Sequence, residues 1–491
     1  MTKTGFHTTT RFSAFLSYFL AFFGLLAVRT AIAAGLPLPV AGALEEAGIS
    51  TQNVAVLVRS VDGDAPLIDH NTAQPMNPAS VMKLLTTYAA LELLGPAHTW
   101  KTEVLSDRIP VDGRLEGNLY LRGSGDPSLT LERFWRFLRQ LRARGVIEID
   151  GDLVLDRRVF SLPPHDAAEF DDQPLRPYNA GPDALLIDHK SLHFTLRANT
   201  DESRVEIHTE TPGVDELVDN RLTLGRGACG DWRKRLNIGL KEEVVVFSGV
   251  FRAGCSDKAL YLSPWPADFQ VERLFRALWR EMGGTLRGQV REGRTPDGAL
   301  PLAAHRSPAL AEIVRKINKY SSNVMARQVF LALDTTRPAT LEGARRAVET
   351  WLSGKGAALP ELMIDNGSGL SRRERISSRS LARLLLAAWQ SPVMPEFMAS
   401  LPLAGVDGTL KKRLNGAPTI GRAHLKTGYL EHVRALAGYA LDKSGKRWIV
   451  VFLINDPNAH LGKPAMDTLL RWLVVREQET RDRKVNGAKR Q

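Results

Sequence analysis

Ser80 and Lys83, three positions apart, have the residue types of a nucleophile and its base. A serine hydroxyl reacts well only when a neighbouring group accepts its proton, and a lysine amine can do so once burial or nearby cations lower its pKa. A Ser-x-x-Lys string alone carries little weight, because about two are expected by chance in a chain of this length. Its weight comes from two further strings that follow in order, Ser321-Ser322-Asn323 and Lys426-Thr427-Gly428.

The second string offers groups for proton transfer and for positioning. The Ser321 hydroxyl can relay a proton, and the Asn323 amide can both donate and accept hydrogen bonds, which lets it orient Lys83 and a substrate amide. For each residue alone, helix capping is the simpler interpretation. Taken together with the other two strings, they favour catalysis.

The third string is suited to binding an anionic substrate. Lys426 and Thr427 can attract and hydrogen-bond a carboxylate, although Lys426 alone could be an exposed charge on a strand edge. Gly428 and Tyr429 continue the same segment. The backbone N–H of Tyr429, with that of Ser80, could donate to an oxyanion in acyl transfer.

A serine–histidine hydrolase is the main alternative chemistry. His424 shares a strand face with Lys426 by period-two alternation, so it could approach the nucleophile. No Gly-x-Ser-x-Gly elbow surrounds Ser80, and this disfavours the alternative.

The elements before the first string can be read from hydrophobic periodicity. The runs Asn53 to Arg59 and Leu67 to His70 predict a β-hairpin. Asn77 can then cap a helix whose first turn holds Pro78, and Gly95-Pro96 ends it. Ser80 and Lys83 would lie in the first turn of this helix, on neighbouring positions.

The elements around the other two strings can be placed in the same way. A helix begins after Ser307-Pro308, a break spans Tyr320 to Asn323, and a second helix follows. The second string therefore falls at a junction between helices. Three strands and a terminal helix are predicted towards the end, the third string lying on the first strand: Ala423 to Gly428, Ala435 to Leu441, Trp448 to Asn455 and the helix Lys463 to Arg476.

The middle of the chain has a different pattern of apolar residues. Residues 101–300 contain short apolar runs broken by Gly, Asp and Pro, with helical spacing only near Leu131 to Arg144 and Asp268 to Met282. We expect strand-rich inserted domains here, two in number, the inner one covering about 185–260. A chain of 491 residues is too long for one core, which agrees with several domains.

The N-terminus predicts export. Residues 1–33 contain basic residues, an apolar run and a small-residue site at Ala31-Ile32-Ala33, as in a cleaved signal peptide. A retained membrane anchor is the alternative, although the apolar run is short for a spanning helix. We expect a periplasmic protein with no stable membrane span after cleavage.

Charge and cysteine content exclude several classes. The net charge of +11 would suit nucleic acid, but export makes that partner implausible; part of the excess lies in the polar tail 476–491, which we expect to be disordered. Cys229 and Cys255 are the two cysteines, and an oxidising compartment favours one disulfide over two unpaired thiols. Neither belongs to a metal-binding pattern, so neither metal nor cofactor is expected.

The chain resembles the low-molecular-mass class C penicillin-binding proteins, the D-alanyl-D-alanine carboxypeptidase/endopeptidase family of cell-wall hydrolases. The resemblance covers nearly the whole chain between the signal and the tail. Beyond the three strings, it is carried by four further strings: Gly123-Ser124-Gly125-Asp126-Pro127-Ser128-Leu129, Pro177-Tyr178-Asn179-Ala180, Asp365-Asn366-Gly367-Ser368-Gly369-Leu370-Ser371 and Leu403-Ala404-Gly405-Val406-Asp407-Gly408-Thr409.

The resemblance implies an α+β, multi-domain fold. Its catalytic domain, 34–100 and 301–475, would be penicillin-binding/β-lactamase-like, with a five-stranded antiparallel sheet flanked by helices. The inserted domains would occupy the long stretch between Ser80 and Ser321, which serine β-lactamases lack. Two departures affect the expected pocket: Tyr429 stands where relatives often have a small or hydroxylated residue, and Ser322 where Asp is frequent.

The resemblance also implies a reaction. Ser80, with Lys83 as base, would be acylated by the penultimate D-Ala carbonyl of a peptidoglycan stem peptide, and water would release the acyl group. Cleavage of a crosslink to diaminopimelate would use the same site, and β-lactams would acylate Ser80 as mimics. A catalytically silent peptidoglycan-binding scaffold and a β-lactamase are the alternatives, and the oligomeric state is left open.

Overall fold

The computed structural model describes residues 35–63, 65–356, 358–416 and 418–476. The predicted signal peptide 1–33 lies outside the described residues, as does the predicted tail 476–491 apart from Arg476. Within these ranges, no helix has the length and apolarity that crossing a membrane would require.

Ten α-helices and twenty-one strands make up the described part of the chain. The helices are α1 Leu38–Glu46, α2 Lys83–Leu93, α3 Leu131–Ala143, α4 Ala267–Glu281, α5 Leu310–Tyr320, α6 Asn323–Ala332, α7 Leu341–Gly354, α8 Ser378–Gln390, α9 Met394–Ser400 and α10 Lys463–Val475. The strands before the inner module are β1 Val54–Ser60, β2 Pro66–His70, β3 Pro75–Met76, β4 Lys101–Ser106, β5 Arg114–Leu115, β6 Leu119–Arg122, β7 Glu148–Ile149 and β8 Leu153–Asp156. The others are β9 Leu192–Asn199, β10 Arg204–Thr209, β11 Val218–Ala228, β12 Leu236–Lys241, β13 Val244–Gly254, β14 Lys258–Leu262, β15 Thr285–Leu286, β16 Val290–Glu292, β17 Leu300–Arg306, β18 Ile376–Ser377, β19 Ala423–Leu430, β20 Val433–Leu441 and β21 Arg447–Asn455.

A five-stranded antiparallel sheet joins the two ends of the chain, in the order β19-β20-β21-β1-β2. Its inner strands β20, β21 and β1 are apolar on both faces, because each face packs against helices. On β1, Ala55 and Leu57 enter one core, while Val54, Val56 and Val58 enter the other. The period of two along the strand thus divides its side chains between two layers.

The two layers contain different helices. The core on one face takes side chains from α2 and α5 to α9, whereas the core on the other face takes them from α1 and α10. The predicted α+β architecture, with a five-stranded antiparallel sheet flanked by helices, is confirmed.

The middle of the chain builds further sheets. A mixed five-stranded sheet, β16-β8-β6-β4-β17, and the short parallel sheet β15-β7-β5 share one core with α3 and α4. Inside this region, the sheets β10-β9-β14 and β11-β13-β12 enclose a separate core around Phe194 and Phe247. A disulfide joins Cys229 to Cys255 at the edge of that core, with their Cα atoms 4.5 Å apart.

Candidate active site

Ser80 lies in a short 3-10 helix, Ala79–Met82, directly before α2. The structure differs here from the expected α-helix that starts beside Pro78. The Asn77 side-chain oxygen accepts the Ala79 N–H at 2.9 Å, and Ala79 adopts a φ of 46°. This left-handed residue cannot begin an α-helix. In a 3-10 turn, residues three apart are eclipsed, which aligns the Ser80 and Lys83 side chains.

Lys83 is fully buried beneath Ser80 and makes three hydrogen bonds. Its Nζ contacts the Ser80 hydroxyl at 2.9 Å and the Asn323 side-chain oxygen at 2.7 Å, and it donates to the Ser368 carbonyl. Burial, together with the positive charge of Lys426, holds the pKa of Lys83 well below its usual value. A neutral amine can donate its two protons to Asn323 and Ser368 and keep its lone pair for the Ser80 proton.

The second string forms the turn between α5 and α6. Ser321 ends α5 with a φ of 59°, and the Ser322 hydroxyl caps α6 by accepting the Met325 N–H. Asn323 is the first residue of α6, and its Nδ2 donates to the Tyr178 carbonyl at 3.1 Å. The left-handed turn and the cap therefore place Ser321 and Asn323 on the side that faces Lys83 and Lys426.

Lys426 projects from β19 towards the same turn. Its Nζ donates to the Ser321 hydroxyl at 2.8 Å and to the Thr427 carbonyl at 2.7 Å. The side chain is fully buried, and burial lowers its pKa to about 7. The structure thus brings two hydrogen-bonded groups close together, one around Lys83 and one around Lys426, and the charge of Lys426 acts on Lys83.

The end of β19 passes close to the nucleophile turn. A Cβ on Gly428 would come within 2.6 Å of the Pro78 carbonyl oxygen, so this approach requires glycine. Thr427 is half-buried, and its hydroxyl contacts that of Thr409 at 2.9 Å. Tyr429 points outward, 57% exposed, with the Arg434 guanidinium 4.1 Å from its ring centre.

Three contributors to the site were not predicted from the sequence: Ser368, Glu374 and Arg327. Ser368 belongs to the string 365–371, which we call the active-site loop; that string carries the family resemblance in the sequence, but no role was expected for Ser368 itself. Glu374 lies in the run Arg372-Arg373-Glu374-Arg375, whose composition is typical of a solvated surface, yet its side chain is fully buried.

The alternative base, His424, makes no hydrogen bond to Ser80 in the described part of the chain. Among the described residues, the Ser80 hydroxyl has one hydrogen-bond partner, Lys83. His424 is half-buried, its Nδ1 has no partner within the described ranges, and burial lowers its pKa. The described residues also contain no cluster of three or more His, Cys, Asp or Glu side chains that could hold a metal ion.

Comparisons with known proteins show to which family the chain is similar. The family model "D-Ala-D-Ala carboxypeptidase 3 (S13)" matches residues 38–474. D-alanyl-D-alanine carboxypeptidase DacB of Haemophilus influenzae is 27% identical over 415 residues, covering 82% of this chain and 85% of its own. The D-alanyl-D-alanine carboxypeptidase of Actinomadura sp. is 30% identical over 427 residues, covering 83% of this chain and 78% of its own.

Solved structures show the same fold. The crystal structure of penicillin binding protein 4 from Haemophilus influenzae superposes with a TM-score of 0.75 at 24% identity, covering 89% of this chain and 100% of that one. A second structure of that protein, complexed with a β-lactam, superposes with a TM-score of 0.70 over the same shares of the two chains, again at 24% identity.

Proposed function

The chain belongs to the D-Ala-D-Ala carboxypeptidase 3 (S13) family, and from this premise we propose that it is an exported serine D,D-peptidase whose nucleophile is Ser80. The observation that carries the proposal is the contact between Lys83 Nζ and Ser80 Oγ at 2.9 Å. Burial lowers the pKa of this lysine, and two other acceptors fix its orientation, so it is suited to act as the base.

Acylation would begin when Lys83 takes the Ser80 proton. The Ser80 oxygen then attacks the carbonyl carbon of the penultimate D-Ala, and the developing oxyanion accepts hydrogen bonds from the backbone N–H groups of Ser80 and Tyr429. Collapse of the tetrahedral intermediate breaks the C–N bond, and the leaving D-Ala amine takes up a proton. The Lys426–Ser321 contact at 2.8 Å supports Ser321 as the group that delivers it, and the proton taken up by Lys83 would replace the one that Ser321 gives, which leaves Lys83 neutral again.

Substrate binding is assigned to β19. The Lys426 ammonium and the Thr427 hydroxyl can hold the terminal carboxylate, while Gly428 lets the strand approach the nucleophile turn. The Asn323 side chain, fixed between Lys83 and the Tyr178 carbonyl, can orient the stem-peptide amide. Water would then hydrolyse the acyl-enzyme, with Lys83 again accepting a proton.

The same site would take two related substrates. A crosslink between D-Ala and diaminopimelate differs from a stem pentapeptide only in a larger leaving group, so endopeptidase action needs no further catalytic residue. A β-lactam would acylate Ser80 as a mimic of D-Ala-D-Ala. The Haemophilus influenzae relative with the same fold has been solved as a β-lactam complex, which supports this expectation.

The catalytic unit is assigned to 34–100 and 301–475, with the strand-rich modules of 101–300 inserted between the first two strings. All three strings lie in this catalytic unit, the first string in 34–100 and the other two in 301–475. Export by the predicted signal 1–33 would place the enzyme in the periplasm, where its peptidoglycan substrate lies.

The test is to incubate protein without the signal with a labelled penicillin and with a D-Ala-D-Ala pentapeptide. Wild type should form a covalent adduct on Ser80 and release D-Ala, and Ser80→Ala should lower both activities by at least about 10³-fold. Ser444→Ala, in the turn between β20 and β21, is the matched control and should behave as wild type. Labelling that survives Ser80→Ala would overturn the assignment of the nucleophile.

A further inference from the structure

Glu374 is a fully buried carboxyl close to the active-site loop. Its Oε1 accepts the backbone N–H of Asp365 at 3.4 Å and that of Asn366 at 3.3 Å. Its Oε2 is buried as well and has no hydrogen-bond partner within the described residues. Since burying a carboxyl with so few partners is costly, its position calls for an explanation beyond packing.

A continuous path of hydrogen bonds connects Glu374 with the candidate base. The Asn366 backbone is held by Glu374, and the Asn366 side-chain oxygen accepts the Ser368 N–H at 3.0 Å and the Ser368 hydroxyl at 2.6 Å. The Ser368 carbonyl in turn accepts a hydrogen bond from Lys83. Glu374 therefore anchors the start of the loop segment that orients the lysine.

The active-site loop has little room to adjust if this anchor is lost. A Cβ on Gly369 would lie 2.1 Å from the Ala79 carbonyl oxygen, so the loop touches the nucleophile turn directly. The Gly367 carbonyl accepts the Thr86 hydroxyl of α2 at 2.6 Å. A displacement of the loop would consequently disturb both Ser80 and Lys83.

The charges around Glu374 also connect it with Lys83. It is the carboxylate whose charge raises the pKa of Lys83, while the charges of Lys426 and Arg327 lower it. Arg327 is itself buried and donates to the carbonyls of Asn179 and Ala180. Burial, and then the negative charge of the nearby Asp365, oppose ionisation of Glu374 and raise its pKa to about 7.

We infer that Glu374 is a positioning residue for Lys83: it holds the loop that presents the Ser368 carbonyl, and its charge opposes the two neighbouring cations that favour the neutral lysine. The inference rests on the proposed roles of Ser80 and Lys83. It assigns Glu374 no contact with the substrate. Its effect reaches the reaction through the protonation and orientation of the base.

Two substitutions separate the anchoring role from the charge. Glu374→Gln keeps an oxygen that can accept both N–H groups but removes the negative charge, so the pKa of Lys83 should fall. Glu374→Leu removes the acceptor as well. Glu361→Gln is the matched control, because Glu361 also anchors backbone and side-chain donors, at Ser377, but does not contribute to the pKa of Lys83.

The measurement is the rate constant of Ser80 acylation at a saturating concentration of labelled penicillin from pH 5 to pH 10, because in the complex the bound carboxylate keeps Lys426 charged. With Glu374→Gln, the limb that rises with pH should move to lower pH by on the order of one unit, at an unchanged plateau. With Glu374→Leu, the plateau should fall by more than about tenfold. Glu361→Gln should match wild type.

The outcomes separate the two proposals. If wild type is labelled at Ser80 but the Glu374→Gln profile coincides with it, or Glu374→Leu keeps the full plateau, the inference about Glu374 is wrong and the proposed function stands. If wild type is not labelled at Ser80, the proposed function itself fails, and the role of Glu374 fails with it.

Discussion

Lys426 Nζ lies 2.8 Å from Ser321 Oγ, so the lysine of β19 meets a hydroxyl from the turn between α5 and α6. The charge of Lys426 is also one cause of the lowered pKa of Lys83. One lysine thereby promotes the neutral form of the other. This division suits the proposed acyl transfer, in which Lys83 would accept a proton while Lys426 would bind a carboxylate as a cation.

The first prediction concerns the alkaline side of the pH profile. Burial lowers the pKa of Lys426 to about 7, so above that pH the free enzyme loses the charge that would bind the substrate carboxylate. We expect kcat/KM for a D-Ala-D-Ala peptide to fall as the pH rises through about 7. Lys426→Arg, whose guanidinium stays charged, should move this falling limb to higher pH and should lower the maximum value of kcat/KM. An unmoved limb would assign the titration to another group.

The buried charge of Lys426 should destabilise the folded protein. The pKa of this lysine is about 7 in the folded protein against a usual value of 10.5, so between these values the unfolded chain binds more protons and stability rises with pH. Below about pH 7 the cost of the buried charge is fully present. Lys426→Met should therefore raise the free energy of unfolding by about 2 kcal/mol at pH 6 and by less at pH 10. Denaturant unfolding at both pH values measures this, and a methionine variant less stable at pH 6 would refute it.

The sequence predicts many of the helices and strands around this site, because their apolar residues recur with a regular spacing. The expected strand Ala435 to Leu441 is observed as Val433–Leu441, and the expected helix Lys463 to Arg476 as Lys463–Val475. The 3-10 turn at Ser80 is not visible in the pattern, because it depends on the local conformation of Ala79. Nor is the contact from Asn323 to the Tyr178 carbonyl, since those residues lie 145 positions apart and meet only through the fold.

Glu374 shows a different limit of sequence reasoning. Its three arginine neighbours indicate a solvated segment, and nothing in the local composition marks one carboxyl as buried. Its burial follows from tertiary packing beside the active-site loop. In contrast, the lysine and serine types at the centre of the site could be recognised because their chemistry limits which residues can serve.

Asn323 provides a second way to change the pKa of Lys83. Its side-chain oxygen accepts the lysine Nζ hydrogen bond at 2.7 Å, so Asn323→Asp would place a negative charge at that point and raise the pKa of the lysine. We expect the rate constant of acylation at saturating penicillin to fall by at least about tenfold at pH 7, since one pKa unit is tenfold in the neutral fraction. Recovery of the rate at alkaline pH would distinguish this effect from misfolding. A loss that is equal at every pH would contradict it.

The disulfide should stabilise the inner module without affecting the chemistry. Cys229 and Cys255 are 26 positions apart, and the loop-closure entropy of such a crosslink corresponds to about 3.5 kcal/mol. The double variant Cys229→Ala/Cys255→Ala should lower the unfolding temperature by several degrees. Because that core is separate from the one beneath Ser80, penicillin labelling should stay within about twofold of wild type. A large loss of labelling would instead link the module to the site.

Gly369 gives the sharpest structural test of the active-site loop. Its φ is 81°, and a Cβ there would lie 2.1 Å from the Ala79 carbonyl oxygen, so Gly369→Ala must displace the loop, the nucleophile turn or both. We expect a loss of about 2 kcal/mol in stability and a fall in acylation rate of at least about tenfold, because small misplacements of reacting groups are costly. Gly354→Ala at the end of α7, where a Cβ meets no atom within 4 Å, is the control and should be neutral or slightly stabilising. If Gly369→Ala retains full activity, the loop does not constrain Ser80 in the way that the contact with Ala79 implies.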